Sequence, residues 1–497
     1  MSSAISELLH RAVELHQQGH LAEAESLYVQ VLQIDARHFD ALHLIGVIAQ
    51  QRGDLQSAMN FFGKALAVDA QQPQLHSNLG ACLHQMERHQ EALACYDLAL
   101  RLQADYLLAW INRGNVLRSL GQFEEAIRSY EKAMELKIDE AEAYYQRGLT
   151  LQSMGLHADA LLDFEDGLRW RADEARWYFA RGYSLQQLGK STEARQAYAT
   201  CLRRDKMQAQ AHYNLAIIEK HNGDLVQALT HCDEALAISH SYAKAHLQRG
   251  HVLKLMSRLP EASAAYRCAA ECGIETAQIE FLLASLGEHA APEAAPVEYV
   301  RDLFDQYATH FDQHLQQQLL YQIPQLLQKA ISLYLPTQFA RSLDLGCGTG
   351  LCAPFLRARS NHLTGVDISG AMLDRAAQLA LYDQLVCDEL LHFLEHDDSD
   401  YELILMADVL VYFGKLDVLF GACAAHLRSG GLLAFSVEPT ETHGYHLQSS
   451  QRYAHSTSYL NQLAEAQGWD IQEMRLADSR REGDQMLQSL ICVWRKK

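Results

Sequence analysis

Small, apolar and aromatic positions recur along the first half of the chain with a period of 34 residues. A glycine or alanine marks each of eight units: Ala12, Gly46, Gly80, Gly114, Gly148, Gly182, Ala216 and Gly250. An alanine follows twelve positions later: Ala24, Ala58, Ala92, Ala126, Ala160, Ala194, Ala228 and Ala262. Four positions further, seven units have an aromatic residue: Tyr28, Phe62, Tyr96, Tyr130, Phe164, Tyr198 and Tyr266. This period predicts stacked helix pairs, because each pair has an apolar face that only its neighbour can cover.

The period and its small and aromatic columns resemble the tetratricopeptide repeat (TPR) from about Ala4 to Gly273. The resemblance implies an all-α TPR solenoid of eight helix pairs. The pattern over Glu275–Gly287 predicts a capping helix, so residues 1–287 are expected to form the first domain. The aromatic residue of each unit is expected to pack between units. The proline that usually ends a TPR unit is missing from all eight units, which weakens the helix stops.

TPR proteins bind extended peptides or helices on a concave face, which the first helix of each pair lines. Amide residues are expected at one recurring position of that face: Asn78, Asn112, Gln146, Asn214 and Gln248. Amides can pair with the backbone of a partner whatever its sequence. Aromatic and basic residues are expected beside them: Tyr145, Phe179, Tyr183, Tyr213, Arg118, Lys220 and Lys254. The resemblance implies a protein or peptide in the concave groove, although these residues could equally serve the packing of the repeats.

An alanine- and proline-rich segment, His289–Val297, interrupts the repeats and predicts a semi-rigid spacer over residues 288–297. Beyond it, Glu298–Leu315 has aromatic residues at helical spacing. Helical and strand patterns then alternate to the end of the chain, which predicts a doubly wound α/β sheet in a second domain, residues 298–497. The predicted strands are Arg341–Leu345, His362–Val366, a short region in Ala380–Val386, Tyr401–Met406, Leu432–Val437, Asp470–Leu476 and Leu487–Trp494.

A glycine-rich turn follows the first of these strands, in the segment Ser342–Gly350. Its glycines stand at every second position, and Leu351 occupies the place where a dinucleotide-binding turn has its last glycine. One acid, Asp344, precedes the turn, and another, Asp367, ends the next strand. The arrangement resembles the class I S-adenosylmethionine (SAM)-dependent methyltransferases, which have a Rossmann-like α/β fold. A nicotinamide-binding or ligand-free Rossmann turn is the alternative.

The resemblance implies a role for each matching residue. Asp344 is expected to orient the methionine end of SAM, Asp367 to accept from the ribose hydroxyls, and Asp388 to accept from the adenine amino group. For Asp388 and Asp408 a surface turn or helix cap is the alternative. The expected cofactor-binding residues are Asp344, Gly346, Cys347, Gly348, Gly350, Asp367, Ile368, Met372, Asp388, Glu389, Ala407 and, on a lid-like helix, Tyr307.

The sequence indicates less clearly which residues would bind the methyl acceptor. Methyl transfer from a sulfonium mainly requires alignment of donor and acceptor, so no obligatory catalytic residue is expected. The segment Ala407–Leu410 does not resemble the motif of the DNA amino-methyltransferases. The acceptor-side candidates are Asp408, Tyr412, Glu438, Arg452, Tyr453 and His455.

Composition excludes several other classes. The formal net charge of −20 argues against non-specific nucleic-acid binding. The first residues form an amphipathic pattern rather than a signal peptide, and no apolar run reaches the roughly 18–20 residues of a membrane span. The eleven cysteines include no C-x-x-C pair, so no metal site is expected. We therefore expect a cytoplasmic protein without a membrane or nucleic-acid partner, of open oligomeric state.

These observations favour a SAM-dependent methyltransferase whose TPR array recruits a protein partner or a protein-borne acceptor. Two alternatives stay open. In one, the chain is a TPR scaffold with a weak or inactive methyltransferase domain. In the other, it methylates a small molecule and the repeats only localise it. The intact Asp344, glycine turn and Asp367 favour an enzyme over a scaffold.

Overall fold

The computed structural model describes residues 2–171, 173–308, 320–334, 338–482 and 485–497. The chain forms two compact units, Met1–Ile218 and Glu219–Lys497. The boundary between them falls within a repeat helix and not at the alanine- and proline-rich segment, so compact units and sequence motifs divide the chain differently. Among the described residues, no helix combines the length and the apolar character that crossing a bilayer requires.

The first unit consists of paired helices with short turns. They are α1 (Ser2–Gln17), α2 (Leu21–Ile34), α3 (Phe39–Gln51), α4 (Leu55–Leu66), α5 (Pro73–Gln85), α6 (His89–Leu102), α7 (Leu107–Ser119), α8 (Phe123–Leu136), α9 (Ala141–Ser153), α10 (His157–Leu168), α11 (Ala175–Gln187), α12 (Ser191–Arg204) and α13 (Ala209–His221), in which the unit boundary lies. Glycines in the turns adopt positive φ, for example 80° at Gly53, a conformation that other residues rarely adopt.

The glycine and aromatic columns meet inside each repeat. A Cβ atom on Gly46 would lie 2.5 Å from Cε1 of Phe62, and one on Gly80 would lie 3.0 Å from the ring of Tyr96. The small residue of the first helix therefore makes room for the ring of the second helix of the same repeat. The predicted packing of this ring between units is also present, since the ring of Phe164 lies 6.4 Å from that of Trp177 in the next repeat, between centroids. The glycine lets the two helices of one repeat approach closely around the ring.

The second unit begins with the last repeat helices and continues into an α/β fold. Its helices are α14 (Leu225–Ile238), α15 (Ala243–Leu255), α16 (Leu259–Glu271), α17 (Thr276–Ser285), α18 (Val297–Tyr307), α19 (Ile323–Ser332), α20 (Ala353–Arg357), α21 (Gly370–Gln378), α22 (Leu390–His396), α23 (Asp417–His426) and α24 (Thr457–Gln467). Its strands are β1 (Phe339–Leu345), β2 (Ser360–Asp367), β3 (Gln384–Cys387), β4 (Tyr401–Met406), β5 (Leu427–Pro439), β6 (Tyr445–Leu447), β7 (Tyr453–His455), β8 (Trp469–Glu482) and β9 (Gln485–Lys496).

The central sheet has the order β3-β2-β1-β4-β5 with parallel pairing, and β9 and β8 extend it with antiparallel pairing. Buried apolar side chains cover both faces of this sheet, as a doubly wound fold requires. The order of the strands reverses between β1 and β4, and ligands of such folds bind at the carboxyl ends of the strands beside this point. The predicted Rossmann-like domain after a TPR-like helical array is confirmed.

Several elements differ from the sequence prediction. The sequence predicts a fifth strand that begins at Leu432, yet β5 starts at Leu427 and runs through Gly430. The register against β4 shifts between Tyr401 and Leu403, so the extra residues are absorbed as a bulge. The short strands β6 and β7 were not predicted. Strand β7 pairs in parallel with the end of β5, and a three-residue strand is too short to show alternation.

The alanine- and proline-rich segment is hydrogen-bonded to the α/β fold. The N–H of Ala295 donates to the carbonyl of Tyr412 at 2.8 Å, and the N–H of Gly414 donates to the carbonyl of Glu293 at 2.8 Å. The hydroxyl of Tyr453 donates to the carbonyl of Pro292 at 2.6 Å. The sequence predicted a spacer here, whereas the structure shows a segment with several ordered backbone contacts.

The last repeat helices of the second unit share a hydrophobic core with this segment and with the strands that follow β5. In that core, Tyr266 of α16 and Phe281 of α17 are grouped with Tyr299, Leu447 and Tyr453. The rings of Phe281 and Tyr299 lie 5.1 Å apart between centroids. Helices α15 to α17 therefore belong to the same packed body as the α/β fold.

Candidate functional site

A cavity of about 640 Å³ opens at the carboxyl ends of β1, β2 and β4, within the second unit. This is the position that the reversal of strand order predicts for a ligand. Polar groups of the cavity wall come from the glycine turn, from the ends of the strands and from β8. The wall includes Asp344, Gly346, Cys347, Gly348, Thr349, Asp367, Ile368, Glu389, Ala407, Asp408, Tyr412, Arg452, Arg480 and Tyr321.

The three glycines of the turn have different surroundings. A Cβ atom on Gly348 would meet no atom within 4 Å, although φ is 54° there. A Cβ atom on Gly346 would collide with Val409, and one on Gly350 would lie 2.8 Å from Cδ1 of Leu379. Gly348 therefore leaves the main chain open beside the cavity, whereas Gly346 and Gly350 allow neighbouring side chains to pack closely.

Asp367 ends β2 and holds the turn in place. One carboxylate oxygen accepts from the N–H of Gly348 at 2.8 Å, and the other accepts from the N–H of Ser369 at 2.9 Å. Burial raises the pKa of Asp367, and these two backbone hydrogen bonds oppose the rise. Each oxygen has a second lone pair, so the carboxylate can position the turn and still accept from a ligand.

Asp344 lies at the end of β1 with only 1% of its surface exposed. The hydroxyl of Tyr382 donates to its Oδ2 at 2.7 Å. Burial raises the pKa of Asp344 to about 7, and the hydrogen bond from Tyr382 opposes this while the charge of Asp367 adds to it. Two buried carboxylates beside one cavity favour a ligand that carries positive charge, because it offsets the cost of keeping both ionised.

The other expected cofactor residues fall into three groups. Cys347, Ile368, Glu389 and Ala407 line the cavity. Gly350 and Met372 are not among the described residues of its wall, and Met372 is buried in α21. The side chain of Tyr307 lies outside the described residues.

Asp388 also stands apart from the cavity wall as described. Its carboxylate accepts from the N–H of Glu389 at 2.8 Å and lies 2.7 Å from Nδ1 of His392. Glu389 in turn caps α22, because its carboxylate accepts from the N–H of His392 at 2.9 Å. This is the turn and cap environment that the sequence left open as the alternative for Asp388.

A network of four charged side chains forms another part of the site. Arg452 donates to Asp408 through Nη2 and to Glu438 through Nε, both at 2.6 Å. Arg480 donates to Asp408 through Nη1 at 3.4 Å and to Glu438 through Nη2 at 2.7 Å. Two guanidinium groups and two carboxylates thus fix one another. The sequence pointed to Asp408, Glu438 and Arg452 but missed Arg480, because no motif marks a residue that only strand pairing brings to the site.

Two tyrosines stand near this network. Tyr321 and Tyr412 both line the cavity. Burial raises the pKa of Tyr412 to about 12, and burial together with the charge of Asp408 raises that of Tyr321 well above its usual value. Both phenols therefore remain protonated at neutral pH and can donate hydrogen bonds. Tyr321 precedes α19 and carried no signal in the sequence.

Tyr453 and His455 support the fold beside the site. The hydroxyl of Tyr453 donates a hydrogen bond to the carbonyl of Pro292. His455 is fully buried, and its Nε2 lies 3.0 Å from the carbonyl oxygen of Gly414. Burial lowers the pKa of His455 to about 4, so the ring is neutral at pH 7. Neither residue is among the described residues of the cavity wall.

Apolar residues that the sequence did not assign to the site close much of the cavity. They are contributed by the alanine- and proline-rich segment and by α18: Ala294, Ala295, Val297, Val300, Leu303 and Phe304. The ring of Phe304 packs edge-on against Tyr412, with 5.5 Å between centroids. A helical stripe of apolar residues is ordinarily a packing surface, so only the tertiary structure shows that this stripe faces a cavity.

Family models match both parts of the chain. Residues 343–433 match a methyltransferase domain. Residues 39–72, 73–106, 114–155, 141–174 and 179–243 match TPR models. The chain therefore carries TPR repeats followed by a methyltransferase domain, as the sequence predicted.

Ubiquinone biosynthesis O-methyltransferases match the C-terminal region of the chain. A ubiquinone biosynthesis O-methyltransferase of Marinobacter nauticus is 32% identical over 98 residues, which are 18% of this chain and 41% of that protein. The protein of the same name from Coxiella burnetii is also 32% identical over 98 residues, covering 19% of this chain and 42% of its own length. The chain thus spans about two fifths of the curated relatives that it matches.

Solved TPR structures resemble the repeat helices. YrrB, a TPR protein with an unusual peptide-binding site, is 24% identical, covers 37% of this chain and 95% of its own, and has a TM-score of 0.32. A tetratricopeptide repeat protein of Parabacteroides merdae is 20% identical, covers 50% of this chain and 99% of its own, and has a TM-score of 0.40.

Proposed function

We propose that this chain transfers a methyl group from SAM to an acceptor that binds in the cavity at the carboxyl ends of β1 and β4. The observation that carries the proposal is the pair of buried carboxylates, Asp344 and Asp367, beside the open main chain of Gly348. The match of residues 343–433 to a methyltransferase domain supports it.

The residues present suit SAM chemically. Bound SAM supplies a methyl group that its positively charged sulfur activates for displacement. In the proposal, Asp344 binds the ammonium group, the free lone pairs of Asp367 accept from the ribose hydroxyls, and Ile368 contacts the adenine. Gly348 leaves room for the cofactor beside the turn, since nothing lies within 4 Å of its Cβ position.

The size of the cavity leaves room for an acceptor. Its 640 Å³ falls within the range of about 300–1,000 Å³ typical of small-molecule sites. In the proposal the cofactor occupies the region of Asp344 and Asp367, and the acceptor occupies the region of Asp408, Tyr412 and Arg452. The apolar wall from α18 and the preceding segment favours a small acceptor, or a small group carried by a larger one, over an extended peptide.

For the repeats we propose a protein or peptide partner in the concave groove. The matches to TPR models support this role. Some of the expected groove amides form hydrogen bonds within the repeats. Nδ2 of Asn78 lies 2.8 Å from Nε2 of His43. The side chain of Asn214 donates to the hydroxyl of Tyr198 at 3.0 Å. The carbonyl oxygen of Gln146 is buried and contacts no donor among the described residues.

Calorimetric titration of the full-length protein with SAM and with S-adenosylhomocysteine tests the central proposal. We expect saturable binding of both, with about one molecule per chain. Absence of binding by the folded protein at millimolar ligand would favour the alternative of a TPR scaffold with an inactive domain. Mass spectrometry of a lysate supplied with methyl-labelled SAM and the protein would then identify the acceptor.

A further inference from the structure

The two arginines of the site are held rigidly and still have free donors. The carboxylates of Asp408 and Glu438 engage Nε and Nη2 of Arg452 and both Nη atoms of Arg480. Among the described residues, no acceptor contacts Nη1 of Arg452 or Nε of Arg480. Both side chains line the cavity. The carboxylates therefore fix the guanidinium groups without using all of their N–H groups.

Two phenols add donors at the same place. Tyr321 and Tyr412 line the same cavity as Arg452 and Arg480. Within the described part of the chain, neither phenol hydroxyl has a protein partner. Since both remain protonated at neutral pH, each phenol can donate a hydrogen bond beside the free N–H groups of the two arginines, and donors from four side chains complement a ligand group that accepts several hydrogen bonds at once.

The charge and shape of the network restrict which chemical group of a ligand can bind there. The positive charges of the two guanidinium groups balance the negative charges of Asp408 and Glu438. An incoming anion therefore meets no net negative charge at the network. A planar carboxylate has two oxygens that can accept from neighbouring N–H and O–H donors at once. The adjoining wall is apolar, with Val300, Leu303 and Phe304 among its residues. A ligand with a carboxylate and an apolar body satisfies both surfaces.

We propose that Tyr321, Tyr412, Arg452 and Arg480 form a carboxylate-binding subsite, and that the acceptor is a carboxylic acid with an apolar body. That the ligand of this subsite is the methyl acceptor rests on the proposed function. The subsite itself is defined by its own hydrogen-bond donors. It assigns to Tyr321 and Arg480, which no motif marks, a part in acceptor specificity.

Calorimetry of the full-length protein tests the subsite with matched probes. Octanoate carries the carboxylate and an apolar chain, octanamide replaces the charge with a neutral amide, and acetate removes the apolar chain. In the presence of saturating S-adenosylhomocysteine, we expect octanoate to bind at least about tenfold more tightly than octanamide, because charge-assisted hydrogen bonds are lost in the amide. Acetate is expected to bind more weakly than octanoate, because each buried methylene contributes to affinity.

Conservative variants identify the donors. Tyr321→Phe and Tyr412→Phe each remove one hydroxyl with little change in shape. Each is expected to weaken octanoate binding about tenfold and octanamide binding less, because the amide accepts only an uncharged hydrogen bond. Tyr401→Phe is the matched control, because Tyr401 is a buried tyrosine at the opposite end of β4 whose hydroxyl donates to Asp397. Arg480→Lys keeps the charge but loses Nε, and it is expected to weaken octanoate binding as well.

The results separate this inference from the proposed function. Equal affinity for octanoate and octanamide, no octanoate binding at millimolar concentration, or unchanged octanoate affinity in both phenylalanine variants would each overturn the carboxylate subsite. Tighter binding of octyl phosphate than of octanoate would replace the carboxylate with a phosphate. Binding of S-adenosylhomocysteine is measured in a separate titration. If it fails while octanoate binds selectively, the methyltransferase proposal falls and the subsite stands.

Discussion

The carboxylate of Asp367 accepts a hydrogen bond of 2.8 Å from the main-chain N–H of Gly348. The acid at the end of β2 thereby fixes the one glycine of the turn that leaves open space beside the cavity. The two features that first pointed to the cofactor, a glycine turn and a distant acid, are thus parts of one hydrogen-bonded structure. Their variants should therefore change both affinity and local order.

Asp367→Ala is expected to weaken SAM binding at least tenfold. It removes an acceptor for the ligand and two backbone hydrogen bonds, and bonds to a charged group contribute about 1.5–3 kcal/mol each. Because Gly348 and Ser369 lose their partner, the melting temperature should fall as well. Calorimetry and thermal unfolding measure the two effects. Asp374→Ala, at an exposed position of α21, is the control, and equal SAM affinity in the two variants would contradict the ribose role.

The affinity for SAM should rise with pH through neutrality. Burial raises the pKa of Asp344 to about 7, and a cationic ligand favours the ionised carboxylate, so binding below this pH must release a proton. Titrations at several pH values, in buffers of different ionisation enthalpy, measure that release. Asp344→Asn should bind weakly and without the pH dependence. A pH-independent affinity in the native protein would show that Asp344 does not contact the charged end of the ligand.

The same raised pKa predicts the direction of a stability change without ligand. The unfolded carboxyl group has a pKa of about 3.9, whereas the folded group keeps its proton up to about 7. Between these values the folded state binds more protons, so the contribution of Asp344 to stability falls as pH rises. Denaturant unfolding of the native protein and Asp344→Asn at several pH values measures it, and the variant should lack this fall.

Substitutions of the glycines should separate binding from folding. Gly348→Ala introduces strain of about 1–2 kcal/mol at positive φ and places a methyl group in open space beside the cavity, so SAM binding should be lost while the fold survives. Gly350→Ala introduces the same strain, and its added methyl group would also collide with the side chain of Leu379. Its main effect should therefore be a lower melting temperature. Native SAM affinity in Gly348→Ala would contradict the placement of the cofactor.

A fragment that starts in the repeats should be more stable than one that starts at the predicted domain boundary. The fragment Glu219–Lys497 keeps the core in which Tyr299, Leu447 and Tyr453 pack with α15 to α17. The fragment Glu298–Lys497 exposes those side chains, at about 1.5–3 kcal/mol for each large apolar one. We expect cooperative thermal unfolding only for the longer fragment. Equal cooperativity in both would show that the repeat helices are dispensable to the α/β fold.

Replacement of groove amides should affect a protein partner and not the cofactor. Asn112→Ala, Gln146→Ala and Asn214→Ala together are expected to lower methylation of the natural acceptor by raising its apparent KM, because a partner held by the repeats has a higher local concentration. SAM affinity should be unchanged. Asn214→Ala alone controls for loss of its bond to Tyr198. Full efficiency of the triple variant would favour repeats that do not recruit the acceptor.

Local and periodic features of the sequence determined the architecture. The 34-residue period predicted the helix pairs because each unit repeats the same short-range contacts, such as that between Gly46 and Phe62 sixteen positions later. The glycine turn and Asp367 were equally recognisable, since consecutive strand–turn–helix units place such residues at one sheet edge by chain geometry alone. The sequence was incomplete where one residue makes two contacts, since the aromatic ring of a repeat packs against the next repeat and also fills the space beside the glycine of its own repeat.

Only the tertiary structure decided which distant residues complete the site. Arg480 reaches Asp408 because β8 pairs with β9 and β9 with β5, and a register set by strand pairing leaves no mark in local sequence. The same holds for Ala295, whose bond to Tyr412 makes a segment that resembles a spacer part of the cavity wall. Local periodicity fixes elements and their order, whereas long-range pairing and shared burial decide which side chains meet.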